Sequence, residues 1–150
     1  MKLGNEILAL WEAAGPHALD PNNLDTIGLT TLSGVLKNNE AFSAHPKADF
    51  NSNISSELLV TFGVQTGPKS TIRLMEFSNA GENSGELIID RKDTFNGFAF
   101  LHDFAITTNW AIFLQNAIDF NPLPFVMGQK GAAQCLKSNP NKKAKFFIIP

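Results

Sequence analysis

The sequence is short of cysteine, of charge and of long apolar runs, and each scarcity excludes a class of protein. A single cysteine, Cys135, leaves no internal disulfide framework and no cysteine-built zinc site. Charged residues make up 17% of the chain, against about 25% in an average globular domain, so its polarity must come from Asn, Ser, Thr and Gly. A net charge of −2 and a pI near 5.9 give no electrostatic reason to bind nucleic acid. No apolar run approaches the ~18 residues that span a bilayer. The opening Met1-Lys2-Leu3-Gly4-Asn5-Glu6 leads only into Ile7 to Trp11, too short for the apolar stretch of a signal peptide. A soluble chain in the cytoplasm is expected. The G-x-S-x-G elbow, the P-loop, G-x-G-x-x-G and H-E-x-x-H are all absent, which removes the commonest hydrolase, nucleotide and zinc-protease chemistries.

What is present is turn-forming residues between short apolar segments. The 150 residues have the length of one domain, and 43% are hydrophobic, enough for a core. Fifteen Asn, eleven Gly and eight Pro argue against a helical bundle. Strands are expected at Ile7 to Trp11, Leu58 to Phe62, Thr71 to Phe77, Glu86 to Asp90 and Lys145 to Ile149. Gly67-Pro68-Lys69 suits the turn between the second and third of these. Phe98 to Ile106 and Trp110 to Leu114 read as a hairpin around Thr107-Thr108-Asn109. Further turn signals fall at Asn22-Asn23, Asn38-Asn39, Asn96-Gly97, Asn121-Pro122 and Asn139-Pro140, and Gly131 to Leu136 has room for one helical turn. This spacing suggests an all-β sandwich, barrel or propeller without an internal linker. The apolar strands at both ends suggest a piece of a larger sheet system.

Three histidines are the candidates for metal chemistry. If Phe98 to Ile106 is extended, alternation puts His102 in one row with Phe98, Phe100, Phe104 and Ile106, and Asp103 on the opposite face, away from it. His102 is then either a core histidine with its hydrogen bond satisfied or a ligand held neutral in a dry pocket. His45 precedes Pro46, which confines it to extended backbone, as either a loop residue or a ligand that must not wander. His17, in Gly15-Pro16-His17-Ala18, reads as exposed and uninvolved. Glu12 continues the row of Leu8 and Leu10, opposite Ile7, Ala9 and Trp11. It is either a charge emerging at a strand end or a carboxylate that orients a histidine by accepting its second N–H. Cys135, beside Lys137 and Gly131, reads as a surface-loop residue without a histidine to activate it.

Taken in order, these segments resemble the carotenoid cleavage oxygenase family. Leu8-Ala9-Leu10-Trp11-Glu12, then Leu19-Asp20-Pro21 and Leu24-Asp25-Thr26-Ile27-Gly28, look like the stretch ahead of the family's first metal histidine. Ala41-Phe42-Ser43-Ala44-His45-Pro46-Lys47 resembles the first histidine motif. The second and more specific is Phe100-Leu101-His102-Asp103-Phe104-Ala105-Ile106-Thr107, followed by Asn109-Trp110-Ala111-Ile112-Phe113. The resemblance runs from about Leu3 to Pro150.

The resemblance implies a seven-bladed β-propeller with non-haem Fe(II) on its axis, held by four histidines that three glutamates help to orient. The implied reaction inserts O2 across a carbon–carbon double bond of a carotenoid or apocarotenoid. By position His45 and His102 look like the first two ligands and Glu12 like the first orienting glutamate. The 57 positions from His45 to His102 suit one step between blades of about 40–50 residues. About three blades of the ring are expected over residues 1–150, an incomplete ring truncated at both ends. Half a site should bind iron weakly, so the chain alone is not expected to be a competent oxygenase without a complementing chain or the rest of a longer one. Two alternatives remain. One is a non-catalytic propeller fragment that serves in assembly or binding. The other is a metal-free propeller, in which His45 and His102 would lie far apart. Peripheral membrane contact is a further implication of the family.

Overall fold

The computed structural model describes residues 1–37, 40–51 and 56–150. Strands dominate. The first four, β1 (Lys2–Leu3), β2 (Glu6–Ala9), β3 (His17–Leu19) and β4 (Thr26–Leu29), form an antiparallel meander. A second four-stranded meander follows in β5 (Lys47–Asn51), β6 (Ser56–Gln65), β7 (Lys69–Ser78) and β8 (Leu87–Asn96). The third sheet has three strands: β9 (Ala105–Ile106), β10 (Ala111–Gln115) and β13 (Lys145–Ile149), in the order β13-β10-β9. Between them β11 (Ile118–Phe120) and β12 (Leu136–Ser138) pair as a ribbon, separated by a short helix α1 (Leu123–Val126) and a 3-10 turn at Ala132–Cys135. Two full meanders and a partial third are successive blades of a β-propeller, in keeping with the all-β expectation of about three blades.

The second sheet lies between the other two and is buried on both faces. Even positions of its central strands (Val60, Phe62, Ile72, Leu74) pack with Leu101, Phe104, Phe113 and Ile149 of the third unit. Odd positions (Leu59, Met75, Phe77) pack with Leu3, Leu8, Leu36 and Phe42 of the first. Burial on both faces explains why Leu58-Leu59-Val60-Thr61-Phe62 is a continuous apolar run rather than an alternating one. The outer strand β8 carries Asp90-Arg91-Lys92-Asp93, charges that discourage edge pairing. Arg73 is the charged residue buried within β7. It bonds Asp90 at 2.8 Å and Glu40 at 2.7 Å, and donates to the Val35 carbonyl at 2.9 Å, tying the connection from the first sheet onto the second. The Asp90 hydrogen bond leads in raising the Arg73 guanidinium above its ordinary value, and Arg73 in turn holds Asp90 below the usual carboxylate range.

Several expectations need correction. The first apolar strand ends at Ala9 rather than Trp11, and His17 lies in β3 rather than a turn, though it is exposed as expected. Phe98 to Phe104 is not a strand; only Ala105–Ile106 pairs with β10, so the hairpin around Thr107-Thr108-Asn109 is short. Cys135 is buried rather than on a surface loop, because the 3-10 turn folds it inward. Helix α1 and strands β1, β3, β4, β5, β11 and β12 lacked a distinct apolar pattern and were not expected. The Asn38-Asn39 turn falls outside the described residues. Among the described residues no helix is long and apolar enough to cross a membrane.

Candidate metal centre

The two candidate histidines enter from equivalent places in successive sheets. His45 lies just ahead of β5 and His102 just ahead of β9, each leading into the first strand of its sheet. Stacked sheets place such entry points at the same end. The imidazole Nε2 atoms of His45 and His102 are 2.9 Å apart, with ring centroids 4.5 Å apart and planes crossing at 71°. A metal-free propeller was expected to hold them far apart; the fold brings them together.

Each histidine is held by a different local device. The His102 segment alternates between anchors and exposure: Ala99, Leu101 and Phe104 are buried, whereas His102 and Asp103 are exposed. His102 is therefore not in an apolar row with Phe98, Phe100, Phe104 and Ile106, and its side chain is 56% exposed rather than in a dry pocket. The smaller Ala99 and Leu101 fill the core that the larger Phe98 and Phe100 were expected to fill. His45 follows the buried pair Phe42 and Ser43. The Ser43 N–H donates to the Phe62 carbonyl at 2.7 Å, and the Phe42 N–H donates to the Ala14 carbonyl at 3.1 Å. The His45 N–H donates to Ser43 Oγ at 3.0 Å, closing a small turn ahead of Pro46. Gly63 on β6 permits this docking, because a Cβ there would lie 2.2 Å from the Ala41 carbonyl oxygen.

Glu12 arrives from the first sheet, just beyond β2, where Leu8 is buried and Trp11 exposed as the alternation requires. Its Oε1 lies 2.6 Å from His102 Nδ1. A hydrogen bond from its own backbone leads in holding the Glu12 carboxyl below the ordinary value; burial opposes it, and His102 and the charge of His45 assist. An ionised carboxylate can only accept, so Nδ1 of His102 donates to Glu12, and Nε2 is the ring nitrogen that faces His45. The Glu12–His102–His45 chain thus joins all three sheets. Two imidazole nitrogens bound at about 2.1 Å and at right angles would be about 3.0 Å apart, so the pair fits two neighbouring positions around one metal ion; the same separation also suits an N–H···N hydrogen bond. Among the described residues no cluster of three or more metal-binding side chains forms.

Residues that the histidine motifs alone did not single out complete the setting. Lys47 Nζ lies 2.7 Å from Asp103 Oδ1, and Asp103 also accepts the Phe104 N–H at 2.8 Å. Asp103 thus turns away from His102, as expected. Burial would raise the Asp103 carboxyl, but the Lys47 hydrogen bond, the Phe104 N–H and nearby charge outweigh it and the net direction is down. The detectable signal was the opposite charge beside each histidine. Next to Glu12 opens a mainly apolar cleft of about 510 Å³, whose walls include Trp11, Val64, Phe98, Phe100, Phe120 and Leu136.

Comparison with known proteins agrees with this fold. The family model described as retinal pigment epithelial membrane protein matches residues 1–150. The apocarotenoid-15,15'-oxygenase of Synechocystis sp. is 42% identical over 149 residues, covering 98% of this chain and 30% of that protein. A carotenoid 9,10(9',10')-cleavage dioxygenase of Crocus sativus is 30% identical over 149 residues, covering 97% of this chain and 24% of that one. The solved structure of a cobalt-substituted Synechocystis apocarotenoid oxygenase superposes with a TM-score of 0.92 at 41% identity, covering 100% of this chain and 31% of that chain. The chain therefore spans under a third of the length of these relatives. With a family match along its whole length and a fold shared at that level of identity, the chain belongs to the retinal pigment epithelial membrane protein family, that of the carotenoid oxygenases.

Proposed function

We propose that this chain is part of an Fe(II)-dependent dioxygenase that cleaves a carbon–carbon double bond of a carotenoid or apocarotenoid. The observation that carries the reading is the Glu12–His102–His45 chain, with two Nε2 atoms 2.9 Å apart and one of them oriented by a carboxylate 2.6 Å behind it. His45 and His102 would hold the iron, which when bound supplies the activation of O2. Glu12 keeps the Nδ1 proton of His102 in place and so keeps Nε2 free to ligate. Pro46 and the Ser43 turn fix the backbone that aims His45. The apolar walls of the cleft beside Glu12 suit a polyene and exclude water from the reacting bond. The names of the relatives support both a carotenoid-type substrate and oxygenase chemistry, and the cobalt-substituted relative supports a bound metal.

The remaining ligands would come from a longer polypeptide or a complementing chain, which would also cover the exposed Phe146 and Ile148 of β13. Leu123, Val126 and Met127 around α1 are exposed and suit peripheral contact with a lipid surface by an otherwise cytoplasmic enzyme. The test is an anaerobic melt of the protein as its gene encodes it, with and without Fe(II). An ion at 100 times its dissociation constant adds about 2.7 kcal/mol to the folded state. We expect a concentration-dependent rise in midpoint that His102→Ala abolishes, and cleavage of an apocarotenal that is lost with it. The same rise in His102→Ala would refute the site.

A further inference from the structure

We propose that Lys47 and Asp103 form a positioning strut that holds the two histidine-bearing segments in register across the boundary between sheets. The inference deepens the metal reading above and rests on it for its functional meaning. Neither residue touches the candidate metal position. Their effect is on where His45 and His102 can be.

Four observations carry it. Lys47 is two residues after His45 and is the first residue of β5, whereas Asp103 directly follows His102 ahead of β9. The pair therefore bridges the same two segments that the imidazoles bridge, at 2.7 Å. Both ends are fixed by contacts of their own. The Lys47 ammonium lies 5.8 Å from the centre of the Phe104 ring, and the Asp103 carboxylate accepts the Phe104 N–H at 2.8 Å. Phe104 is itself buried, stacked on Phe113 with ring centroids 5.3 Å apart. The strut is thus seated on the core rather than swinging in solvent. Finally, the contact that it supports is not enclosed by core: the Nε2 atoms approach to 2.9 Å while the His102 side chain is 56% exposed. With side chains 32% and 49% exposed, the ion pair has little to give to global stability, and its effect should be local.

The test separates the strut from the metal. Histidine-labelled, metal-free protein, as its gene encodes it, is examined by NMR for the ring-to-ring nuclear Overhauser effect between His45 and His102. Co(II) affinity is titrated in parallel. We expect the ring-to-ring signal in the parent protein and its loss in Asp103→Asn and Lys47→Met. Co(II) affinity should fall about 10-fold or more in each single variant, and no further when Lys47→Met and Asp103→Asn are combined, because the two act as a unit. An unchanged ring-to-ring signal in Asp103→Asn overturns the strut, as does global unfolding of that variant, which would make the pair a stability element. A parent protein that shows the signal and loses it in the single variants, yet fails to bind Co(II), retains the strut and overturns the metal reading instead.

Discussion

Gly63→Ala probes how the fold delivers His45 to the site. The substituted Cβ would lie 2.2 Å from the Ala41 carbonyl oxygen, where ordinary contact begins near 3.4 Å. The obstacle is backbone, so no rotamer relieves it, and the Ala41–Ser43 segment must move by roughly 1 Å. Overpacking of this kind costs about 1–3 kcal/mol. The same movement pulls the Ser43 N–H from the Phe62 carbonyl, a bond of 2.7 Å worth about 1 kcal/mol. A loss of about 2–4 kcal/mol should lower the melting midpoint by about 5–15 °C for a chain of this size. Gly131→Ala is the control. Its φ is −68° and its added Cβ meets Gln134 Oε1 at 3.7 Å, so its cost should stay within about 0.5 kcal/mol. Thermal and urea melts of both variants measure the difference, and Co(II) titration measures whether His45 has been displaced. If Gly63→Ala is as stable as Gly131→Ala, the close docking of the His45 segment on β6 is not what the contact distances indicate.

Other predictions follow from polar groups of the second sheet. Thr61 is fully buried and its hydroxyl has no hydrogen-bond partner among the described residues, so Thr61→Val should stabilise the fold by about 1 kcal/mol in urea melts. Burial, assisted by the charge of Asp49, raises the Glu76 carboxyl above its ordinary 4.5. Folding then binds a proton more tightly than the unfolded chain does, and Glu76 takes stability away as pH rises past 4.5. Glu76→Gln should therefore melt higher than the parent at pH 7, with the gap closing below pH 4.5; a gap independent of pH would contradict this. Asp90 has the opposite sign, because Arg73 lowers its value. Its contribution is complete above 3.8 and is lost as pH falls through the lower folded value, so Asp90→Asn should cost stability at pH 7 and little in strong acid.

Local chemistry made much of this protein legible in its sequence. The β-branched and aromatic runs mark β6, β7 and β13, and Gly67-Pro68 marks the turn between β6 and β7. The two histidine motifs were readable by their resemblance to the carotenoid cleavage oxygenase family; local chemistry alone left His45 as a loop residue or a ligand and His102 as a core residue or a ligand. Where two anchors compete, the pattern misleads: Phe98 and Phe100 look like the core face, yet Ala99 and Leu101 are buried and the side that His102 takes is reversed. The burial of Cys135 was likewise hidden, because a 3-10 turn reveals its inward face only once β11 and β12 have paired beneath it. Alternation reports which face a residue takes and says nothing about which sheet will cover that face. The tertiary structure alone decided that Glu12, His45 and His102, separated by 33 and 57 positions, converge where three sheets meet, and that Lys47 and Asp103 close the same gap. Packing of whole sheets selects such contacts through the apolar area they bury together, a sum over many residues that no single segment contains.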